Sequence, residues 1–270
     1  MTEGPDGTRV ARVHLTPEAN RQASRYWWDI DADRYQAEHG VFLGDVDLLW
    51  GPEGLRESQA GLLGPVAGRR VLEVGCGAGQ CARWLAARGA QVVGFDLSGA
   101  QLAHAAAMGQ RSGLPVPLVR ADAQALPFAD ASFDLACSAY GAVIFVADSA
   151  AVMREAARVL RPGGRWVFSV THPLRWCFPD DAGPEGLTAV HSYFDRTPYV
   201  ESDAADVPVY VEHHRTIGDR VREIVAAGLR IVDCIEPEWA DGHVTTYTQW
   251  GELRGRLVPG TTIWVTERPA

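Results

Sequence analysis

Three glycines at alternate positions, Gly75, Gly77 and Gly79, follow the apolar run Val71-Leu72-Glu73-Val74. Cys81, Trp84, Leu85 and Arg88 then recur at i, i+3, i+4 and i+7, the spacing of one helix face. A buried strand, a glycine turn and a helix open a βαβ unit. Glycine lets the chain turn sharply and lets a ligand approach the peptide groups. The helix that follows points free N–H groups and its positive dipole end at that ligand. Spacing discriminates between ligands. The dinucleotide fingerprint G-x-G-x-x-G needs a glycine at position 80, where Gln80 stands. A second apolar run, 91–95, ends in Asp96, 21 residues past Gly75. An acid there accepts bonds from both hydroxyls of a ribose, and its charge repels a 2′-phosphate. The plain alternatives are a tight turn without a ligand and a strand-end turn residue.

Two histidines are candidates for proton transfer. His172 lies just past a strand-like run at 166–170, and His214 lies in the alternating stretch Glu212-His213-His214-Arg215. Histidine suits general-base work near neutral pH. For each, a packing or surface role is the competing reading.

The elements that must position these groups follow from pattern. Residues 1–15 read as a mobile tail. Thr16-Pro17-Glu18 reads as an N-cap with proline at the first helical position. The aromatic-dense stretch that follows, with Tyr26, Trp27, Trp28 and Tyr35, makes 16–64 an N-terminal helical cap. Residues 65–171 read as the cofactor-binding core. Its strands are expected near 71–74, 91–96, 116–119, 132–138 and 166–170, and Ser98 to Gln101 reads as a capping box. A helix with Val152, Met153, Ala156, Val159 and Leu160 on one face stops at Arg161-Pro162-Gly163-Gly164. Residues 172–215 break the alternation with five prolines and many aromatics. A connector of that length is usually a lid or binding element, so it reads as an inserted substrate cap, with 207–213 as a strand of a small added sheet. Residues 216–270 return to the core sheet, beginning with a helix whose Val221, Ile224 and Val225 face inward.

The pattern E-x-G-x-G-x-G at 73–79 resembles the first motif of the class I S-adenosylmethionine-dependent methyltransferases. Leu160-Arg161-Pro162-Gly163-Gly164 before a strand is similar to a second, structural family motif. The resemblance implies an α/β fold: a doubly wound, seven-stranded, mostly parallel sheet whose last strand runs antiparallel between the fifth and sixth. It implies S-adenosyl-L-methionine as cofactor and S-adenosyl-L-homocysteine as product. It places Glu73, Gly75, Cys76, Gly77 and Gln80, then Asp96 and Leu97, then Asp122, Ala123 and Gln124, then Ser138 and Tyr140 against that cofactor, with Asp122 and Ala123 at the adenine. The acceptor would meet Tyr26, Trp27, Tyr35, Tyr140, Trp176 and Tyr193, with His214 or His172 as base. The aromatic residues suggest a flat, ring-containing small molecule, methylated on O or N, and secondary metabolism as the setting. Two other readings stay open: a non-methylating reaction at the same cofactor site, such as aminopropyl transfer, and a nucleotide-binding module.

Composition narrows the partners. The chain has 270 residues, 47% apolar and 22% charged, with a net charge of −9. That balance argues against a broad nucleic-acid surface. Ser138-Ala139-Tyr140-Gly141 also stands where nucleic-acid and protein methyltransferases of the resembled family carry an Asn-Pro-Pro-Tyr-type tetrapeptide. The opening residues hold no apolar stretch, and the longest apolar run is too short to span a bilayer, so neither a signal peptide nor a membrane anchor is expected. Five scattered cysteines suggest no metal site and no disulfide framework. A cytoplasmic monomer or homodimer is the expectation.

Overall fold

The computed structural model describes residues 2–3, 8–243 and 250–270. In chain order come β1 (Thr2–Glu3), β2 (Arg9–Arg12), α1 (Pro17–Ile30), α2 (Ala32–Leu43) and the short α3 (Glu57–Ala60). The alternating part holds β3 (Arg70–Val74), α4 (Gln80–Ala86), β4 (Gln91–Asp96), α5 (Gly99–Ser112), β5 (Leu118–Arg120), β6 (Phe133–Ala139), α6 (Ser149–Val159) and β7 (Leu160–Thr171). Then follow β8 (Tyr199–Ser202), β9 (Pro208–Glu212), α7 (Ile217–Ala226), β10 (Arg230–Ile235), α8 (Glu252–Gly255) and β11 (Thr261–Glu267).

Seven strands form one sheet in the order β10-β11-β7-β6-β3-β4-β5. The pairs from β7 to β5 are parallel, and β11 runs antiparallel to both β7 and β10. This is the doubly wound, mostly parallel sheet expected, with its last strand inserted between the fifth and the sixth. Strand alternation feeds two apolar layers: Leu72 and Val74 pack into one, Val71 into the other. On α6 the residues Val152, Met153, Ala156 and Val159 are all buried, as the helical period requires. Strand order reverses between β3 and β6, and open α/β sheets bind ligands at such a switch point, beyond the carboxyl ends of the strands.

Several local expectations need correction. Residues 9–12 of the expected mobile tail are strand β2, paired antiparallel with β8 from Arg9 opposite Ser202 to Arg12 opposite Tyr199. They join β1, β8 and β9 in a second, four-stranded sheet. The rest of that tail's first residues, 1 and 4–7, lie outside the described residues. No local pattern announces a pairing across so many intervening residues. The third core strand is shifted to Leu118–Arg120, and β7 begins already at Leu160, with Gly163 at φ +76° relieving the bend. Ser98 caps α5 by accepting from the Gln101 N–H; no return bond from Gln101 completes a capping box. On α7, Val225 is exposed while Ile224 is buried. Thr16 and Thr216 cap α1 and α7 as expected, the latter in a full capping box with Asp219.

Candidate functional site

A cleft of about 1130 Å³ opens at the switch point. Its floor is the glycine loop between β3 and α4. Gly75, Gly77 and Gly79 all have positive φ, at +66°, +49° and +75°. A Cβ on Gly75 would stand 2.5 Å from the Ala142 nitrogen, so glycine alone lets this loop lie against the turn after β6. Asp96 ends β4. Its Oδ2 accepts from Gly77 N at 2.9 Å and its Oδ1 from Ser98 N at 2.9 Å. Each oxygen keeps lone-pair capacity for a further donor. Burial raises the Asp96 pKa, against the backbone bonds that lower it. Asp122 lies past β5. Its Oδ1 accepts from Gln124 N at 2.9 Å, while its Oδ2 has only long contacts, 3.5 Å to Gln124 Nε2 and 3.8 Å to Arg21.

Two polar atoms on the cleft wall have no partner. Glu73 Oε2 and Gln101 Oε1 are buried and make no hydrogen bond. Burial pushes the Glu73 carboxyl up to about 8. Unmatched buried groups are costly unless a ligand satisfies them. A glycine cradle, a ribose-type acid at Asp96, an acid at Asp122 and an unmatched acid at Glu73 fit a ligand carrying a ribose, an amino-bearing ring and a cationic end.

The roof comes from α1 and α2. Asn20, Arg21, Ser24 and Trp28 of α1, and Tyr35, Gln36 and Leu43 of α2, line the cleft. Trp28 meets Phe145 edge-on at 5.2 Å and Tyr35 at 5.5 Å, which makes one aromatic wall. This roof is fastened at several points. Asn20 Nδ2 and Ser24 Oγ both donate to the Phe145 carbonyl, at 2.9 and 3.0 Å. At the far end of α1, Asp29 Oδ1 accepts from Ser98 Oγ at 2.7 Å and from Ala100 N at 3.2 Å, so the roof helps cap α5. Gln36 and Gln80 meet at 3.3 Å.

Tyr140, in the turn after β6, also lines the cleft. It has φ +53°, rare for a residue with a side chain. Its hydroxyl lies 2.6 Å from Thr261 Oγ1 and 3.1 Å from the Gly260 carbonyl. Thr261 Oγ1 in turn donates to the buried Glu53 at 2.6 Å. Burial pushes the Tyr140 phenol well up, so it stays protonated.

The cleft gathers Glu73, Gly75, Cys76, Gly77, Gln80, Asp96, Leu97, Asp122, Ala123, Gln124 and Tyr140. Of the residues the sequence places at the cofactor, Ser138 alone is absent from the wall; it is fully buried behind it, with its hydroxyl unpartnered. The acceptor set divides. Tyr35 and Tyr140 line the cleft, whereas Tyr26, Trp27, Trp176 and Tyr193 do not. Tyr26 is exposed, and Trp27 packs on Tyr210 at 5.0 Å. Trp176 is buried beside the Arg175 guanidinium, 4.5 Å from its ring, and the Tyr193 hydroxyl accepts from Ile217 N at 3.0 Å.

Neither candidate base reaches the cleft. His172 is buried, with Nε2 2.8 Å from Glu236 Oε1 and Nδ1 accepting from Leu174 N. His214 donates from Nε2 to the Tyr193 carbonyl at 2.7 Å and packs against Trp176 and Tyr193. Burial lowers the pKa of both. Reasoning from strand ends and alternation located them near the right edge of the sheet but not their facing. Reading Asn20, Ser24 and Trp28 as one stripe at intervals of four, a polar face on a helix due to be buried, would have found the roof residues.

A methyltransferase-domain family model matches residues 72–168. A demethylmenaquinone methyltransferase of Corynebacterium kroppenstedtii is 37% identical over 156 residues, 58% of this chain but 62% of that protein, under two thirds of its length. One of the same name from Beutenbergia cavernae is 36% identical over 220 residues, 82% of this chain and 85% of that one. Among solved structures, an S-adenosylmethionine-dependent methyltransferase from Mesorhizobium loti is 31% identical, with a TM-score of 0.65 over 81% of this chain and 100% of that one.

Proposed function

This chain belongs to the S-adenosylmethionine-dependent methyltransferases, and from that premise we propose that it methylates a small, ring-containing molecule held between the glycine loop and the α1–α2 roof. The observation that carries the reading is the pairing of two unlike walls in one cleft. One wall is polar and suits the cofactor: Glu73, Gly75, Gly77, Asp96 and Asp122. The other is aromatic: Trp28, Tyr35 and Phe145. When bound, S-adenosylmethionine supplies a methyl group already activated by its sulfonium leaving group.

The chain's residues then have three tasks. Asp96 and Asp122 fix the cofactor's position through its hydroxyls and amino group. Trp28, Tyr35 and Phe145 stack an acceptor ring and hold it for in-line attack, which is where proximity and orientation act. The fastened roof keeps water out. Among the described cleft residues there is no histidine, so the acceptor's nucleophile either carries no proton that must be lost or loses it readily. A ring hydroxyl, an acidic ring N–H or an electron-rich ring carbon meets that requirement. The ring named in the relatives' activity, demethylmenaquinone, is of this kind, and it supports the aromatic reading of the acceptor here.

The test is a transfer assay with isotope-labelled S-adenosylmethionine against a panel of naphthoquinols, phenols, N-heteroaromatics and aliphatic amines. Transfer is expected to ring acceptors. Transfer to aliphatic amines alone would overturn the ring assignment, and cleavage of the cofactor without methyl transfer would favour a non-methylating reaction.

A further inference from the structure

Behind the aromatic wall lies a second, much smaller cavity, with about 10 Å³ of space for a single small guest. It sits over the carboxyl end of β7 and the start of β11, beneath β9 and the N-terminus of α7. Ile144, Trp176 and Trp264 supply apolar walls; His213, Arg220 and Thr262 supply polar ones. Thr262 and Trp264 alternate onto the same face of β11, which brings the hydroxyl to this side of the sheet.

One buried polar atom lacks a partner, and beside it a buried cation shares its counterion and lies 5.9 Å from the Phe168 ring centre. Thr262 is fully buried and its Oγ1 makes no hydrogen bond. Arg220 is 4% exposed. Among the described residues its guanidinium makes one hydrogen bond, from Nη1 to Glu223 Oε2 at 2.6 Å. That carboxylate is shared, because Arg215 Nε donates to Glu223 Oε1 at 3.0 Å. Two guanidinium groups therefore stand against one carboxylate. Arg215 completes its bonding with the carbonyls of His214 and Ala147, which carry no net charge. Asp219, the next acid, is engaged outward by Arg196 and Arg222. The excess positive charge falls on Arg220. Burial above all pushes its pKa down to about 10; Glu223 and Asp219 oppose the fall, and Arg215 adds to it. A buried cation with half a counterion is expensive, and complementing it takes one further negative charge.

We propose that this cavity binds a small monovalent anion of the halide class, held by Arg220 and the Thr262 hydroxyl. A single excess charge calls for a monovalent ion. The hydroxyl and guanidinium supply N–H and O–H donors, and the apolar walls leave little room for the hydrated shell of a larger oxyanion. The site is separate from the cofactor cleft and does not rest on the proposed methyl transfer.

Thermal unfolding at constant ionic strength tests it, with sodium chloride or bromide replacing sodium gluconate. A fivefold excess of halide over its dissociation constant is expected to raise Tm by about 2–4 °C in a saturable way. Bromide salts weaken burial in general, so a rise in bromide runs against the generic salt effect. Thr262→Val keeps the shape of the side chain and is expected to remove most of the rise; Arg220→Gln, if it folds, removes all of it. A bromide-soaked crystal is expected to show anomalous density beside the Arg220 guanidinium. Equal Tm in gluconate and halide, or an undiminished rise in Thr262→Val, would overturn the site and leave the cavity to water.

Discussion

The glycine-loop wall and the 172–215 insertion make opposite uses of unusual residues. At the glycine-loop wall, Gly75 and Gly77, an unpartnered buried acid and a strand-end carboxylate all face one cleft. In the insertion, several aromatics and histidines of equal prominence pack on one another, while Pro184, His191 and Phe194 are exposed. Trp176 is buried, His214 is wedged between Trp176 and Tyr193, and Glu201 accepts from Thr8 and from Tyr199. No described residue of the insertion lines the cleft. Instead β9 lies beneath α1, with Trp27 on Tyr210 and His213 2.5 Å from Asn20 Oδ1. The insertion shapes the site at one remove, by holding the roof helix that touches it. Residues that are chemically conspicuous thus divide into those that face the cleft and those that pack among themselves away from it, His214 with its Nδ1 buried and unpartnered among the latter. Open capacity on a cleft wall is the better sign of a ligand site.

Substitutions in the two regions should therefore separate affinity from stability. Trp176→Ala is expected to cost about 3–5 kcal/mol of stability through the cavity it leaves, read by chemical denaturation. At low temperature its affinity for S-adenosylhomocysteine should stay within about twofold of wild type. Asp96→Ala is expected to weaken S-adenosylhomocysteine about 100-fold by loss of two charge-assisted bonds, at a smaller cost in stability of about 1–3 kcal/mol because the Gly77 and Ser98 N–H groups lose their acceptor. Lost cofactor affinity in Trp176→Ala, or unchanged affinity in Asp96→Ala, would break the comparison.

His213 sharpens it through pH. Burial, with Arg215 and His14 nearby, lowers its pKa from 6.5 to about 4. The unfolded chain therefore takes up this proton at a higher pH than the native one. Its contribution to stability is intact above pH 6.5 and is lost as pH falls from 6.5 towards 4, by about 3 kcal/mol at most. His213→Asn should flatten that part of the stability profile without altering cofactor affinity at pH 7.5. The smallest effect is assigned to His214→Gln: turnover on any acceptor found by the panel should stay within about twofold, since the ring is bonded to a backbone carbonyl away from the cleft. A tenfold fall with a shifted pH profile would return His214 to the chemistry.

How far these features could be read from sequence follows from the range of the forces that set them. The glycine loop was legible because a turn between strand and helix is a local event, and Gln80 at the position of a missing glycine was enough to separate ligand types. Asp96 was legible because an acid at a strand end recurs at a regular offset from the glycine loop in a βαβ series. Asp122 and the sheet order, with its antiparallel last strand between the fifth and the sixth, came from the family resemblance; the alternation along 261–266 does not by itself fix that order. The role of 9–12 was not legible, since a strand paired with residues 199–202 carries no local trace of its partner. Nor was the facing of His172 and His214. Alternation says that neighbours point apart, but which side meets the cleft depends on how the insertion folds over the sheet. The roof was half legible: the aromatics of α1 showed that it packs, but not that Trp28 lines the cleft while Trp27 packs on Tyr210 of β9.

The central claim is that the cleft at the β3–β6 switch point is an S-adenosylmethionine site. Calorimetric titration of the purified protein with S-adenosylmethionine, S-adenosylhomocysteine and NAD tests it most directly. Micromolar binding of the first two and none of NAD is the expected result. Binding of NAD, or of none of the three, would contradict the assignment of Glu73, Asp96 and Asp122, and with it the proposed reaction.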